Sequence, residues 1–282
     1  MPASQLGYAV HVAEGIPTST TDVPPDLDKR MWSPTSATLI TGDYVAVLVD
    51  PLFTRSQAEA LVDWVTASGK NLTAVYITHG HPDHWLGLGT ILAAFPAAQA
   101  FAVPSVVAQM RAHSTPEVLA GQWQSRFTEP LAAPVAIADP VPPAGLHLEG
   151  HELIPVELGH TDTDDTTVLH VPSIGLVVAG DVVYNGVHQY LLESAHGGIK
   201  AWLQALSTVA ALHPRTVVAG HKNKDRADDP KTINETRDYL LDAQRLLAGT
   251  PSPDDFFNHM IRLYPDRLNV GPVWYSALAL LS

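Results

Sequence analysis

Within the seven residues Thr78-His79-Gly80-His81-Pro82-Asp83-His84, three imidazoles and a carboxylate stand at His79, His81, His84 and Asp83. Neutral imidazole nitrogens and carboxylate oxygens are the donors that zinc and related first-row divalent ions take. The chain has no Cys, so a metal must be held here by nitrogen and oxygen alone. Taken alone, the stretch fits either a metal site or a polar turn that happens to be rich in histidine. The metal reading gains weight because donors of the same types recur at the ends of other apolar runs.

Four such runs stop on a possible ligand. Val75-Tyr76-Ile77-Thr78 leads into His79, Val156-Glu157-Leu158-Gly159 into His160, Val177-Val178-Ala179-Gly180 into Asp181, and Val217-Val218-Ala219-Gly220 into His221. Short apolar runs of this kind read as buried strands, and a strand fixes the position of the side chain at its end. In the last three a Gly precedes the donor, where it permits a sharp turn out of a sheet.

The elements around these ends follow from periodicity and punctuation. Strands are expected at 8–12, 38–40, 44–49, 72–77 and 98–103, and helices at 55–68, 86–95, 106–113 and 116–126. The segment 15–34 carries four prolines and 130–145 carries five, so both read as loops. In the second half strands are expected at 146–148, 151–158, 166–171, 175–179 and 215–219. Helices are expected at 199–212, 231–247, 255–264 and 273–281. The charged stretch 222–231 reads as a solvated loop. The pattern predicts one domain over 1–282, made of two similar β/α halves that meet near 130–145, with closing helices over about 231–281.

Bulk properties narrow the function. With 29 acidic and 16 basic side chains the net charge is −13, which opposes nucleic-acid phosphates and anionic membrane as partners. The first ten residues lack the basic and apolar regions of a secretory signal, and no stretch approaches the ~18 apolar residues of a membrane span. A cytoplasmic enzyme acting on a small molecule is the expectation.

In these motifs the chain resembles the metallo-β-lactamase superfamily. The hallmark Thr-His-x-His-x-Asp-His stands at Thr78 to His84. The contexts Gly159-His160-Thr161, Gly180-Asp181 and Gly220-His221 follow in order, and the likeness spans about residues 36–222. The resemblance implies an αββα four-layer sandwich with two divalent metal ions at one edge, zinc first and iron or manganese as alternatives. It implies that His79, His81 and His160 hold one ion, that Asp83, His84 and His221 hold the other, and that Asp181 bridges them. Lactamases of the superfamily that place Cys at the position of Asp181, and flavin-linked di-iron members that place Glu at the position of His81, differ from this chain.

A two-metal site implies hydrolysis by a hydroxide that bridges the ions and attacks a carbonyl, with Asp83 as ligand and orienter of the nucleophile. A small ester or lactone is the leading substrate. Alternatives are a thioester (the glyoxalase II type, with the 222–231 loop as anchor for a carboxylate), a β-lactam, or sulfur oxidation at a single iron. Tyr184 lies three residues after Asp181, an offset similar to that in lactonases of the superfamily that open acyl-homoserine lactones, so it is either a catalytic hydroxyl or an aromatic packed beside the site. His188 is the candidate for a histidine with a role outside the ligand set. Trp32, Phe53, Trp85, Asn185 and Tyr190 are expected to line the substrate pocket, with packing as the other role open to the aromatic ones.

Overall fold

Alternation of side chains along each strand sorts the apolar residues into three separate clusters. In the computed structural model, which describes residues 5–281, the strand Val45–Val49 sends Val47 and Val49 to one side and Ala46 and Leu48 to the other. Every strand buried on both faces repeats this division, so two sheets are stacked with apolar material between and outside them.

The first sheet contains β1 (Gly7–Ala13), β2 (Thr35–Thr41), β3 (Val45–Val49), β4 (Asn71–Tyr76), β5 (Gln99–Ala102) and β6 (Asp139–Pro140). The second contains β7 (Leu146–Leu148), β8 (His151–Gly159), β9 (Thr166–Val171), β10 (Leu176–Val178) and β12 (Thr216–Val218). Between and after these last two, the two-residue strands β11 (Tyr184–Asn185) and β13 (His221–Lys222) cross back to the first sheet. The orders are β11-β13-β2-β3-β4-β5-β6, with β1 also on β2, and β12-β10-β9-β8-β7. β3 to β6 run parallel, whereas β7 to β10 are antiparallel and β12 is parallel to β10.

Helices cover both outer faces. α1 (Arg55–Ala67), α2 (Leu88–Ala94) and α3 (Pro104–His113) place Leu61, Ile91 and Met110 against Leu48 and Val75 of the first sheet. α1 starts at a capping box, Thr54 with Gln57, and stops before Gly69. After the short turn α4 (Pro116–Val118), α5 (Gly198–Ala211), α6 (Lys231–Leu247), α7 (Pro253–Leu263) and α8 (Gly271–Leu281) cover the second sheet. Trp202, Tyr239 and Phe256 pack there with Val177 and Val217. Ile40, Val47, Tyr76, Leu169, Val178 and Val218 fill the space between the sheets. The architecture is therefore the αββα sandwich.

Two local expectations differ from the structure. The helix expected at 116–126 is broken into one turn, a wider π turn at Leu119–Trp123 and a 3-10 turn at Gln124–Arg126. Gly121 weakens helix at its centre, and Trp123 is drawn into an aromatic group with Trp32, Phe53 and Phe127. β6, β11 and β13 form where the sequence pattern shows no strand, because two residues carry no period. Among the described residues no helix is long and apolar enough to cross a membrane.

Candidate metal centre

The two sheets deliver their donors to one edge. Beyond β4 the chain turns through His79 and His81 into a single 3-10 turn, Pro82–His84. Beyond β10 a second 3-10 turn, Gly180–Val182, presents Asp181, while β13 begins on His221. The glycines before these donors act in two ways. Gly159 and Gly180 adopt positive φ (74° and 49°), which turns the chain out of its sheet. Gly220 instead supplies room, since a Cβ there would stand 2.3 Å from Asp181 Oδ1 and 2.8 Å from His84 Cε1.

The donor atoms fall into two adjoining groups. Those of His79, His81, Asp162 and Asp181 lie within 4.8 Å of one another, as do those of Asp83, His84 and His221. Asp181 connects the two, with Oδ1 3.2 Å from His84 Nε2 and Oδ2 3.1 Å from His221 Nε2. His221 Nε2 is also 3.4 Å from Asp83 Oδ2, and Asp162 Oδ2 is 2.9 Å from His81 Nδ1 and 3.8 Å from His79 Nε2.

Each imidazole is fixed by one nitrogen and offers the other. His84 Nδ1 donates to Asp50 at 3.2 Å and His221 Nδ1 to the Pro34 carbonyl at 2.9 Å. His79 Nδ1 lies 2.9 Å from Thr78 Oγ1, which itself donates to Asp50, and His81 Nε2 lies 3.1 Å from Glu193. On the inner side His79 Nε2, His84 Nε2, Asp162 Oδ2 and Asp181 Oδ1 are buried with no well-aligned hydrogen bond, only close approaches among the donors themselves such as Asp162–His81 and Asp181–His84. Buried polar atoms are rarely left so. Four of them gathered at one point, all nitrogen or carboxylate oxygen with outer partners in place, fit a pair of divalent cations.

Without a cation the same groups neutralise one another. Burial opposes charge on His221, but Asp181 and Asp83 outweigh it and push its pKa up to about 10. His84 is raised in the same way against burial, by Asp181 and Asp83, and His81 by Asp162 and Glu193. Burial would raise Asp83 and Asp181, yet the imidazoles of His84 and His221 hold both below the usual carboxylate range. Loading a metal must therefore expel protons from these histidines.

The remaining expected site residues divide. His160 is not brought into either group. Its Nδ1 is 2.7 Å from Asp164, and its Nε2, buried and unpartnered, faces Gly198. Asp162, two residues on, is instead grouped with His79, His81 and Asp181. Trp32, Tyr184 and Tyr190 line a cavity of about 370 Å³ that opens onto His81, Asp83, Asp181 and His221. Trp32 Nε1 donates to Asp83 Oδ2 at 3.1 Å, and the Tyr184 hydroxyl to Asp181 Oδ2 at 3.0 Å.

Phe53, Trp85, Asn185 and His188 lie outside that lining. Phe53 packs behind Trp32, Trp85 donates to the Gly80 carbonyl, and Asn185 donates to the Ala227 carbonyl. His188 is buried with Nδ1 3.1 Å from the Tyr239 hydroxyl.

The 222–231 loop is not simply solvated: Lys222 is buried and paired with Asp228, Lys224 pairs with Glu14 and Arg226 with Glu235. Sequence reasoning also missed Asp50, although β3 runs into it as the other strands run into their donors. Arg30, Arg126 and Tyr275 of the cavity wall carry no local signal at all.

The sequence profile of the metallo-beta-lactamase superfamily matches residues 30–221. No curated protein sequence matches the chain. Among solved structures, a metallo-beta-lactamase from Pontibacter korlensis is similar at a TM-score of 0.61 and 15% identity, over 84% of this chain and 99% of that one. A metallo-beta-lactamase family protein from Thermus thermophilus gives 0.59 and 21%, over 96% and 91%. The metallo-beta-lactamase FIM-1 from Pseudomonas aeruginosa in its mono-zinc form gives 0.58 and 15%, over 86% and 96%. At these identities the structural likeness concerns the fold. The profile decides the family, and the chain belongs to the metallo-beta-lactamase superfamily. Membership and the two donor groups together support a metal-dependent hydrolase.

Proposed function

We propose that this member of the metallo-beta-lactamase superfamily hydrolyses a small ester or lactone at a site that holds two divalent ions, zinc by preference. The observation that carries the reading is the meeting of two donor groups through Asp181 at the floor of the cavity. Asp83, His84 and His221 would hold one ion. His79, His81 and Asp162 would hold the other, where the family resemblance also puts His160, with Asp181 shared. When bound, such ions polarise a carbonyl and make a water acidic enough to ionise near neutral pH. Zinc is supported by the nitrogen-rich donor set and by the zinc form of the Pseudomonas aeruginosa relative.

The chain's own residues then have defined tasks. Trp32 Nε1 and the Tyr184 hydroxyl each donate to a carboxylate, Asp83 and Asp181, and so fix the oxygens that must not rotate. Burial and the neighbouring carboxylates Asp181 and Asp162 push the Tyr184 phenol well above its ordinary value, so it stays protonated. Its one proton goes to Asp181 Oδ2, so it would assist a carbonyl under attack by turning that O–H from Asp181 to the substrate oxygen. Trp32 and Tyr190 give the bound substrate an apolar wall and keep bulk water off the reacting carbon.

The test is a substrate panel on zinc-reconstituted protein: a γ-lactone, an aryl acetate, an acyl thioester and nitrocefin. The lactone or the aryl acetate should have the highest kcat/KM. A thioester or nitrocefin turned over faster than both would move the activity to another branch of the superfamily.

A further inference from the structure

The lining of the cavity that opens onto the donor groups contains two arginines in a chain of net charge −13. Arg30 is only 6% exposed. Its Nη1 donates to Asp22, its guanidinium lies over the Tyr275 ring at 4.0 Å, and its Nε is buried without a partner. Arg126 lies over the Trp123 ring at 5.5 Å and forms no ion pair among the described residues. Both guanidiniums and the Tyr275 ring line the same cavity. By contrast, Glu193 in the same lining is already bound to His81, Thr163 and Tyr190.

We propose that Arg30 and Arg126 bind a carboxylate carried by the substrate, so that the hydrolysed ester or lactone is a monoanion with a flat apolar body. The idea rests on the cavity being the substrate site of the proposed hydrolase. A buried guanidinium held on one side and covered on one face is preorganised for a planar anion. The rings of Trp32, Trp123, Tyr190 and Tyr275 fit a flat body beside it. A dianion such as a phosphonate suits the wall less, because Asp22 and Glu193 would repel its second charge. Thr20, Asp22, Pro272 and Tyr275 of the lining lie outside residues 30–221, whereas both arginines lie within the family match.

The experiment compares zinc-loaded wild type with Arg30→Gln, Arg30→Lys and Arg126→Gln. Calorimetry measures the binding of benzoate, neutral benzamide and phenylphosphonate. Kinetics measure the ratio of kcat/KM for 4-acetoxybenzoate to that for phenyl acetate. Wild type should bind benzoate at least about tenfold more tightly than benzamide, as expected for a charge-assisted pair, and more tightly than phenylphosphonate. In Arg30→Gln the benzoate preference and the kinetic ratio should both fall about tenfold, with part of each restored in Arg30→Lys. If Arg30→Gln does not fold, Arg126→Gln, altered at a part-exposed side chain, carries the test and should lower both readings. A preference unchanged in the folded arginine variants would place the carboxylate elsewhere, and tighter phenylphosphonate binding would reassign the anion; either overturns the proposal. If no ester is hydrolysed, the hydrolase reading fails while the binding comparison still decides this one.

Discussion

Asp50 accepts a hydrogen bond from His84 Nδ1 at 3.2 Å, and with the same carboxylate it takes both the amide (2.9 Å) and the hydroxyl (2.7 Å) of Thr78. One residue at the end of β3 thus orients His84 directly and His79 through Thr78. Its backbone is left-handed, at φ 56°, a conformation that Asn also tolerates. Asp50→Asn should therefore keep the turn and lose the anionic acceptor. Zinc affinity should drop by about 10- to 100-fold, the usual cost of removing such a partner, as measured by competition with a chromophoric chelator. An unchanged affinity would mean that His84 is oriented by packing alone.

At the ion that His79 and His81 would hold, Asp162 stands among the donors and His160 does not enter the group. Asp162 lies among the donors of His79 and His81, while His160 keeps a buried nitrogen without a partner. Asp162→Ala should weaken that ion by at least about tenfold, and more than His160→Ala does. Binding undisturbed in Asp162→Ala would make that carboxylate a bystander. Binding undisturbed in His160→Ala would remove the ligand that the family resemblance implies.

Tyr184→Phe removes the hydroxyl and leaves the ring packed on Trp202. Lactone turnover should fall about 10²-fold in kcat, the scale of losing one donor to a developing oxyanion, with metal content intact. Equal turnover would confine Tyr184 to holding Asp181.

His188 offers a pH test away from the metals. Burial, aided by Arg267, lowers its pKa to about 3, so it is neutral in the folded protein across the physiological range. Above about pH 6.5 the unfolded chain is neutral there too and nothing is lost. As pH falls from about 6.5 toward 3, the unfolded state takes up a proton that the folded state refuses, and stability declines. Between about pH 6.5 and 5 the loss is about 2 kcal/mol at most. His188→Asn should shrink the difference in Tm between about pH 7 and pH 5 relative to wild type. An equal difference would show that His188 does not govern the acid response.

The elements were legible because strand and helix periods repeat through both halves, and the family resemblance implied their stacking into the sandwich. The runs ending at His79, Asp181 and His221 also announced where the sheets deliver side chains. The same signal pointed to Asp50, since Val45-Ala46-Val47-Leu48-Val49 stops on it. Asp162 was harder to pick out, one acidic residue among several after His160, chosen only by the path of the loop. The cavity wall was not legible. Arg30 and Tyr275 stand near opposite ends of the chain, and only the packing of α8 against the 15–34 segment joins them. Phe53 and Trp85 show the converse: aromatics near a motif in sequence can face the core behind it.

Metal content measured together with activity tests the central claim most directly. Protein freed of metal and dialysed against zinc should retain two zinc ions per chain by mass spectrometry. Lactone or ester hydrolysis should vanish with chelation and return with the second equivalent. A single bound iron, or full hydrolysis after complete chelation, would contradict the two-metal hydrolase.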